Sequence, residues 1–234
     1  MSAAVGLLIA ALLIVIPLWR HRVLIHRPPF AVYFALHDII AYTSDYVTVL
    51  LLVVGWGSLL LGGRIEGRLY LGPWFVFLPL CLLVALTALS TIWALDPVYA
   101  GYQSVRFLLW MGVYLLLANL AVPVTWLTGG VVLSILLQSA VGLGQFFAGR
   151  SLGLRRWGEL PLNPEWSGVS VVFTDSGRHL RAYGLTQHPN LLGGLMAVLF
   201  LLLVGLAVQR SRPLRAFSFG AVVAAFALGT ATLL

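Results

Sequence analysis

Long apolar runs broken by short polar stretches set the rhythm of this chain. A membrane-spanning helix takes about 20 mostly apolar residues. Seven stretches reach or approach that length: residues 3–18, 46–61, 71–93, 107–122, 125–147, 191–208 and 216–234. The predicted fold is all-α, a polytopic transmembrane helical bundle of about seven spans, with residues 1–234 read as one integral membrane domain. Residues 30–43 are also apolar but carry His37 and Asp38. They read as interfacial, re-entrant or an eighth, poor span. The first run has no basic segment before it and no small-residue cleavage site after it, so it is not read as a signal peptide.

The one long polar stretch is 148–190, which is 43 residues. Connections of that length are uncommon and usually functional or disordered. Its pattern is ordered. Pro161, Asn163 and Pro164 mark turns, 169–173 reads as a strand, Asp175-Ser176-Gly177 as a turn and 178–183 as a return strand. The expectation is a short β-hairpin on an otherwise helical protein.

Composition narrows the class. The chain is 61% hydrophobic and only 9% charged, against roughly 25% charged in soluble domains, which excludes a water-soluble globular protein. The net charge of +7 rests on 14 basic residues, all Arg. Basic residues in short loops orient membrane helices, so this charge is read as topology and not as a nucleic-acid surface. Arg64 and Arg68 lie in one short gap, and Arg210, Arg212 and Arg215 in another. An even number of spans separates the gaps, so both can be cytoplasmic. That puts 94–106 and 148–190 on the outer, extracytoplasmic face. Arg20, Arg22 and Arg27 fit the scheme only if 30–43 also crosses.

The candidate chemistry is sparse. Cys81 is the single cysteine and the five His are scattered, so no metal site is expected. No phosphate-binding Gly-rich loop, Ser-His-Asp set or carboxylate pair stands out. On the outer side, Arg150, Arg155 and Arg156 are either solvated or meet lipid headgroups. Arg178 and Arg181 stand just before the sixth run, where a guanidinium suits bidentate phosphate contact; the structural alternative is a salt bridge to Asp175 or Glu165. His188-Pro189-Asn190 opens the sixth run. Pro189 suits the first helical turn, Asn190 or Thr186 could cap it, and His188 either packs there or faces an anionic substrate at the helix N-terminus. Asp96-Pro97 starts a turn, with Asp96 a cap or a substrate contact. Arg106 snorkels or lines a cavity, and Asp45 reads as a cap. Gly142, Gly144, Gly193 and Gly194 are expected to allow close helix packing.

The run Arg178-His179-Leu180-Arg181-Ala182-Tyr183-Gly184-Leu185-Thr186-Gln187-His188-Pro189-Asn190 resembles a motif of the O-antigen ligase and O-antigen polymerase superfamily: an Arg, a Gly three residues on, then His-Pro-Asn before a membrane helix. Ser90-Thr91-Ile92-Trp93-Ala94-Leu95-Asp96-Pro97 resembles that family's Ser-x-x-Trp-(Ser/Ala)-x-Asp-Pro element. The resemblance covers residues 46–234. It implies a bacterial inner-membrane glycosyltransferase that moves a glycan from undecaprenyl diphosphate to a lipid or saccharide acceptor at the outer face. It implies no nucleotide sugar, metal or other cofactor. By motif, Arg181 corresponds to an essential Arg that engages the donor diphosphate and is the catalytic candidate. Arg178, His188, Asn190, Arg106 and Asp96 are the substrate-binding candidates.

The family's second essential Arg, in a Ser-Arg-Gly element, and the loop carrying its proposed catalytic His have no counterpart in these 234 residues. The chain is therefore expected to be the N-terminal portion of such an enzyme and inactive alone. A non-enzymatic fragment or polyprenyl-lipid-binding subunit is the alternative. A transporter fits less well, because the apolar runs lack a central charge.

Overall fold

The structure, a computed structural model, describes residues 2–27, 38–62, 69–175 and 177–208. The anchors Arg64, Arg68, Arg210, Arg212 and Arg215, the run 216–234 and residues 30–37 of the ambiguous apolar segment lie outside the described residues. The order is α1 (Ser2–Val15), β1 (His21–Ile25), β2 (Ile39–Tyr42), α2 (Thr43–Leu61), α3 (Trp74–Ser90), α4 (Pro97–Asn119), α5 (Val124–Ala148), a 3₁₀ turn (Arg155–Trp157), β3 (Val171–Thr174), β4 (Gly177–Leu180) and α6 (Pro189–Val208).

Helices occupy six of the seven apolar runs, so the predominantly helical class holds. The described residues do not support the expected count of about seven spans. Among the described residues, three helices are long and apolar enough to cross a membrane: α2, α5 and α6. At 1.5 Å per residue, the 14 residues of α1 and the 17 of α3 fall short of a hydrocarbon core about 30 Å thick. Helix α4 has 23 residues, but its first turns carry Tyr99, Tyr102, Gln103, Ser104 and Arg106. Of the 30–43 segment, the described end forms strand β2 in place of a poor span, and residues 30–37 lie outside the described residues.

The described residues form two compact units. One is built from His21–Val122 with the start of α1. Within it, β1 and β2 pair antiparallel, with His21 opposite Tyr42. Helices α2 and α4 run parallel: Asp45 in the first turn of α2 meets Arg106 in the third turn of α4, and Gly55 meets Leu116 further along. A Cβ on Gly55 would lie 2.4 Å from Leu116 Cδ2, so a small residue sets that approach. Helix α3 packs on α4 yet has no buried residue, which leaves Leu78, Leu82, Leu86 and Leu89 exposed. Asn119 ties the chain before α3 back to α4, with its Nδ2 donating to the Tyr70 carbonyl and its Oδ1 accepting the Tyr70 N–H.

The second unit holds Ile9–Arg20 and the residues from Pro123 onward. Its core is Val131 and Ile135 of α5 against Leu192, Met196, Leu199 and Leu203 of α6, with Ala182 beside them. Gly130 of α5 sits against the α1 backbone, where a Cβ would lie 2.8 Å from Ala10 Cα. Of the glycines expected to serve helix packing, Gly142 is buried on α5, Gly144 abuts Leu152 of the loop, and Gly194 faces open space. The predicted hairpin is present, with Val171 opposite Leu180 and Thr174 opposite Gly177. It is shorter than expected, because the N–H groups of residues 183–185 turn to side-chain partners on α5.

Candidate functional site

Those partners organise the loop between α5 and α6. The side chain of Gln145 is fully buried and uses both ends of its amide. Oε1 accepts the Tyr183 N–H at 3.1 Å and the Gly184 N–H at 2.8 Å. Nε2 donates to the Gly184 carbonyl and to Glu159 Oε1, each at 2.9 Å. Glu159, only 4% exposed, also accepts the N–H groups of Leu152 at 2.6 Å and Leu154 at 2.5 Å. Three N–H donors are how a buried carboxylate without a counter-ion is satisfied.

Two helical turns earlier on α5, Gln138 Oε1 accepts the Leu185 N–H at 2.8 Å. Between these contacts lies Gly184, at φ +59°, where a Cβ would come 2.5 Å from Gln138 Oε1. Both the left-handed backbone and the lack of room require glycine there. The far side of the segment is held by Ser170. Its carbonyl accepts the Arg181 N–H at 3.3 Å, and its N–H donates to the Tyr183 hydroxyl oxygen at 2.7 Å. Residues 181–185 are thus pinned from two sides.

Arg181 is half-buried, and among the described residues its guanidinium has no carboxylate partner. The bridges to Asp175 or Glu165 that would have given it a structural job do not form. Arg178 is exposed on β4, with its guanidinium 5.6 Å from the centre of the Phe173 ring. His188 packs edge-on against the Tyr183 ring at 6.1 Å, and its Nδ1 accepts the Asn190 N–H at 3.2 Å. So His188 caps α6, in place of Asn190 or Thr186. The Thr186 hydroxyl faces the carbonyls of Tyr183 and His188, while Asn190 is exposed in the first turn. Arg181, Arg178, His188 and Asn190 therefore belong to one loop-and-helix start.

The other two candidates lie in the other unit. Asp96 caps α4, accepting the Tyr99 N–H at 3.0 Å, which is the local role its sequence context implied. It also forms a two-pronged ion pair with Arg27, one prong at 3.0 Å. The hydrogen bond to Asp96 raises the Arg27 pKa above its ordinary value, with burial opposing. Arg106 pairs with Asp45 at 3.2 Å and lies over the rings of Tyr42 at 4.8 Å and Tyr102 at 5.8 Å. Asp45 in turn accepts the Tyr42 N–H at 2.8 Å at the start of α2. Buried Asp38 accepts from His26 at 2.9 Å and from the Arg27 N–H at 2.9 Å. Tyr102 donates to the Ile40 carbonyl, and burial pushes its phenol pKa up, with Arg106 opposing.

The contrast between the two regions is electrostatic. In the first unit, Asp38, Asp45 and Asp96 each face a basic partner. In the loop of the second unit, the one buried acid is satisfied by N–H donors, and no loop arginine is in an ion pair among the described residues. No group of three or more His, Cys, Asp or Glu arranged for a metal occurs among the described residues. No protein-family model, curated protein or solved structure matches the chain.

Sequence reading missed Gln138, Gln145 and Glu159. A signal was there, because two glutamines seven residues apart share one face of a mostly apolar helix. Polar groups inside a spanning segment mark a constrained contact.

Proposed function

We propose that this chain is a helical membrane protein of the O-antigen ligase and polymerase type. In this reading Arg181 contacts the diphosphate of an undecaprenyl-diphosphate-linked glycan at the outer face of a bacterial inner membrane, and a lipid or saccharide accepts the glycan. The observation that carries it is the guanidinium of Arg181, uncompensated by any described carboxylate. It is held on a backbone segment pinned by Gln145 and Ser170, a few residues before a helix apolar enough to enter a bilayer.

Chemically, a fixed cation beside the diphosphate offsets the negative charge that gathers on the leaving group when the sugar–phosphate bond breaks. Arg178 and Asn190 are exposed on the same loop-and-helix start and can add donors. Asp96 and Arg106 already have partners within their own unit, so their part in this reading is to hold α4 and α2 in place. The exposed leucines of α3 support the membrane setting, since water would penalise that face.

The test is binding of undecaprenyl diphosphate to the chain in lipid nanodiscs. A charge-assisted hydrogen bond contributes about 1.5–3 kcal/mol, so Arg181→Ala should weaken binding roughly ten- to a hundredfold, and Arg181→Lys less. Equal binding by wild type and Arg181→Ala overturns the reading. Glycan transfer, assayed separately, distinguishes an enzyme from a lipid-binding subunit.

A further inference from the structure

A second basic group in the same unit has nothing to do with Arg181. Residues 147–158 carry Arg150, Arg155 and Arg156 and no acidic residue. All three arginines are exposed, and none is in an ion pair among the described residues. The nearest acid along the chain, Glu159, is turned inward and consumed by Gln145 and two backbone N–H groups, so it does not dilute the charge at the surface.

Apolar side chains stand among these arginines: Phe147 is 80% exposed, Trp157 60% and Leu152 41%. The group begins where α5, one of the membrane-competent helices, ends in the left-handed cap Gly149. Trp157 is held by the 3₁₀ turn, its N–H donating to the Leu154 carbonyl at 2.8 Å. Tryptophan at the end of a spanning helix prefers the headgroup level. Arginine there lays its aliphatic stem along apolar surface and places its guanidinium among phosphates. Basic residues close to the bilayer are drawn to anionic lipid, each adding to the attraction.

We infer that Arg150, Arg155 and Arg156, with Trp157, form a docking surface for anionic phospholipid headgroups at the end of α5. The occupant is the bilayer's own acidic lipid, because the charge and the exposed apolar side chains coincide at the end of a helix apolar enough to cross a membrane. A soluble anion would use the arginines and leave Trp157 and Phe147 without a partner.

The experiment uses the full chain in phosphatidylcholine nanodiscs containing a minor share of phosphatidylglycerol. Either lipid is brominated near the headgroup, and tryptophan quenching is read. The difference between wild type and Trp157→Phe isolates the Trp157 signal from the other tryptophans. The expected result is several-fold stronger quenching of Trp157 per mole by brominated phosphatidylglycerol than by brominated phosphatidylcholine. That preference should fall with added salt and vanish in Arg150→Gln/Arg155→Gln/Arg156→Gln. Should the triple variant not fold, Arg155→Gln and Arg156→Gln singly should each lower the preference.

Equal quenching by the two lipids overturns the inference, as does a preference that survives the substitutions. Loss of the preference in millimolar inorganic phosphate at constant ionic strength also overturns it, assigning the arginines to a soluble phosphate instead. None of these outcomes depends on Arg181, so the diphosphate reading stands or falls separately.

Discussion

Replacing Gln145 with Met keeps the volume of a buried side chain and deletes its amide. In the native structure that amide takes two backbone N–H groups, from Tyr183 and Gly184, and gives one hydrogen bond to the Gly184 carbonyl and one to Glu159. The substitution leaves buried donors with no acceptor, at about 1–3 kcal/mol per orphaned group. Partial relaxation of the backbone absorbs some of this, and a net loss of about 3 kcal/mol is expected. That corresponds to roughly a hundredfold shift of the loop toward its open form.

Hydrogen–deuterium exchange of the full chain in nanodiscs reads it directly, as faster exchange at Tyr183 and Gly184. Gln138→Met is the internal control. It removes one acceptor, for the Leu185 N–H, but also a buried Nε2 that has no hydrogen-bond partner among the described residues, so its expected cost is about 1 kcal/mol or less. The exchanged pair Gln145→Glu/Glu159→Gln should recover part of the protection, since the carboxylate can still accept from Tyr183, Gly184 and the new amide. If Gln145→Met exchanges like wild type at Tyr183 and Gly184, or no faster than Gln138→Met, the staple does not hold the loop.

Gly184→Ala should destabilise through its positive φ, a strain of about 1–3 kcal/mol, and through its approach to Gln138. In a Gln138→Ala background the approach is relieved but the positive φ remains, so melting curves should show Gly184→Ala costing less than in wild type, though never nothing. Gly130→Ala should cost more than Gly55→Ala although its clash is the longer one, 2.8 Å against 2.4 Å. The first meets the Ala10 backbone and the second a leucine methyl that can turn, and overpacking penalties of about 1–3 kcal/mol should separate the two in unfolding titrations. Asp96→Ala should lose the α4 cap, about 1 kcal/mol, as well as the Arg27 pair. Asp96→Asn should keep the cap and lose only the salt-sensitive part, which a stability measurement at two ionic strengths distinguishes.

What could be read from the sequence and what could not divide along one physical line. Features that depend on neighbours in the chain were legible. The apolar runs became helices because any long apolar segment must satisfy its backbone internally, and the turn at Asp96-Pro97 became a cap because its partner, the Tyr99 N–H, is three residues away. The bounds of the helices were not legible, because hydropathy counts apolar residues while caps decide where a helix begins. Gly72 and Pro73 delay α3 to Trp74, and Asp96-Pro97 starts α4 early enough to take in Tyr102 and Arg106.

Pairings across the fold were illegible for a stricter reason. Arg27 and Asp96 are 69 residues apart, and nothing local marks the pair. The same limit applies to Arg181 in reverse. The sequence offered it two acids within reach, Asp175 and Glu165, and a bridge to either would have made it a structural residue. Only the fold shows its segment drawn toward Gln145 and Ser170 while both bridges stay unmade. The case for a phosphate contact therefore rests on a charge the fold holds in place without neutralising it, against Asp38, Asp45 and Asp96, whose partners are all supplied.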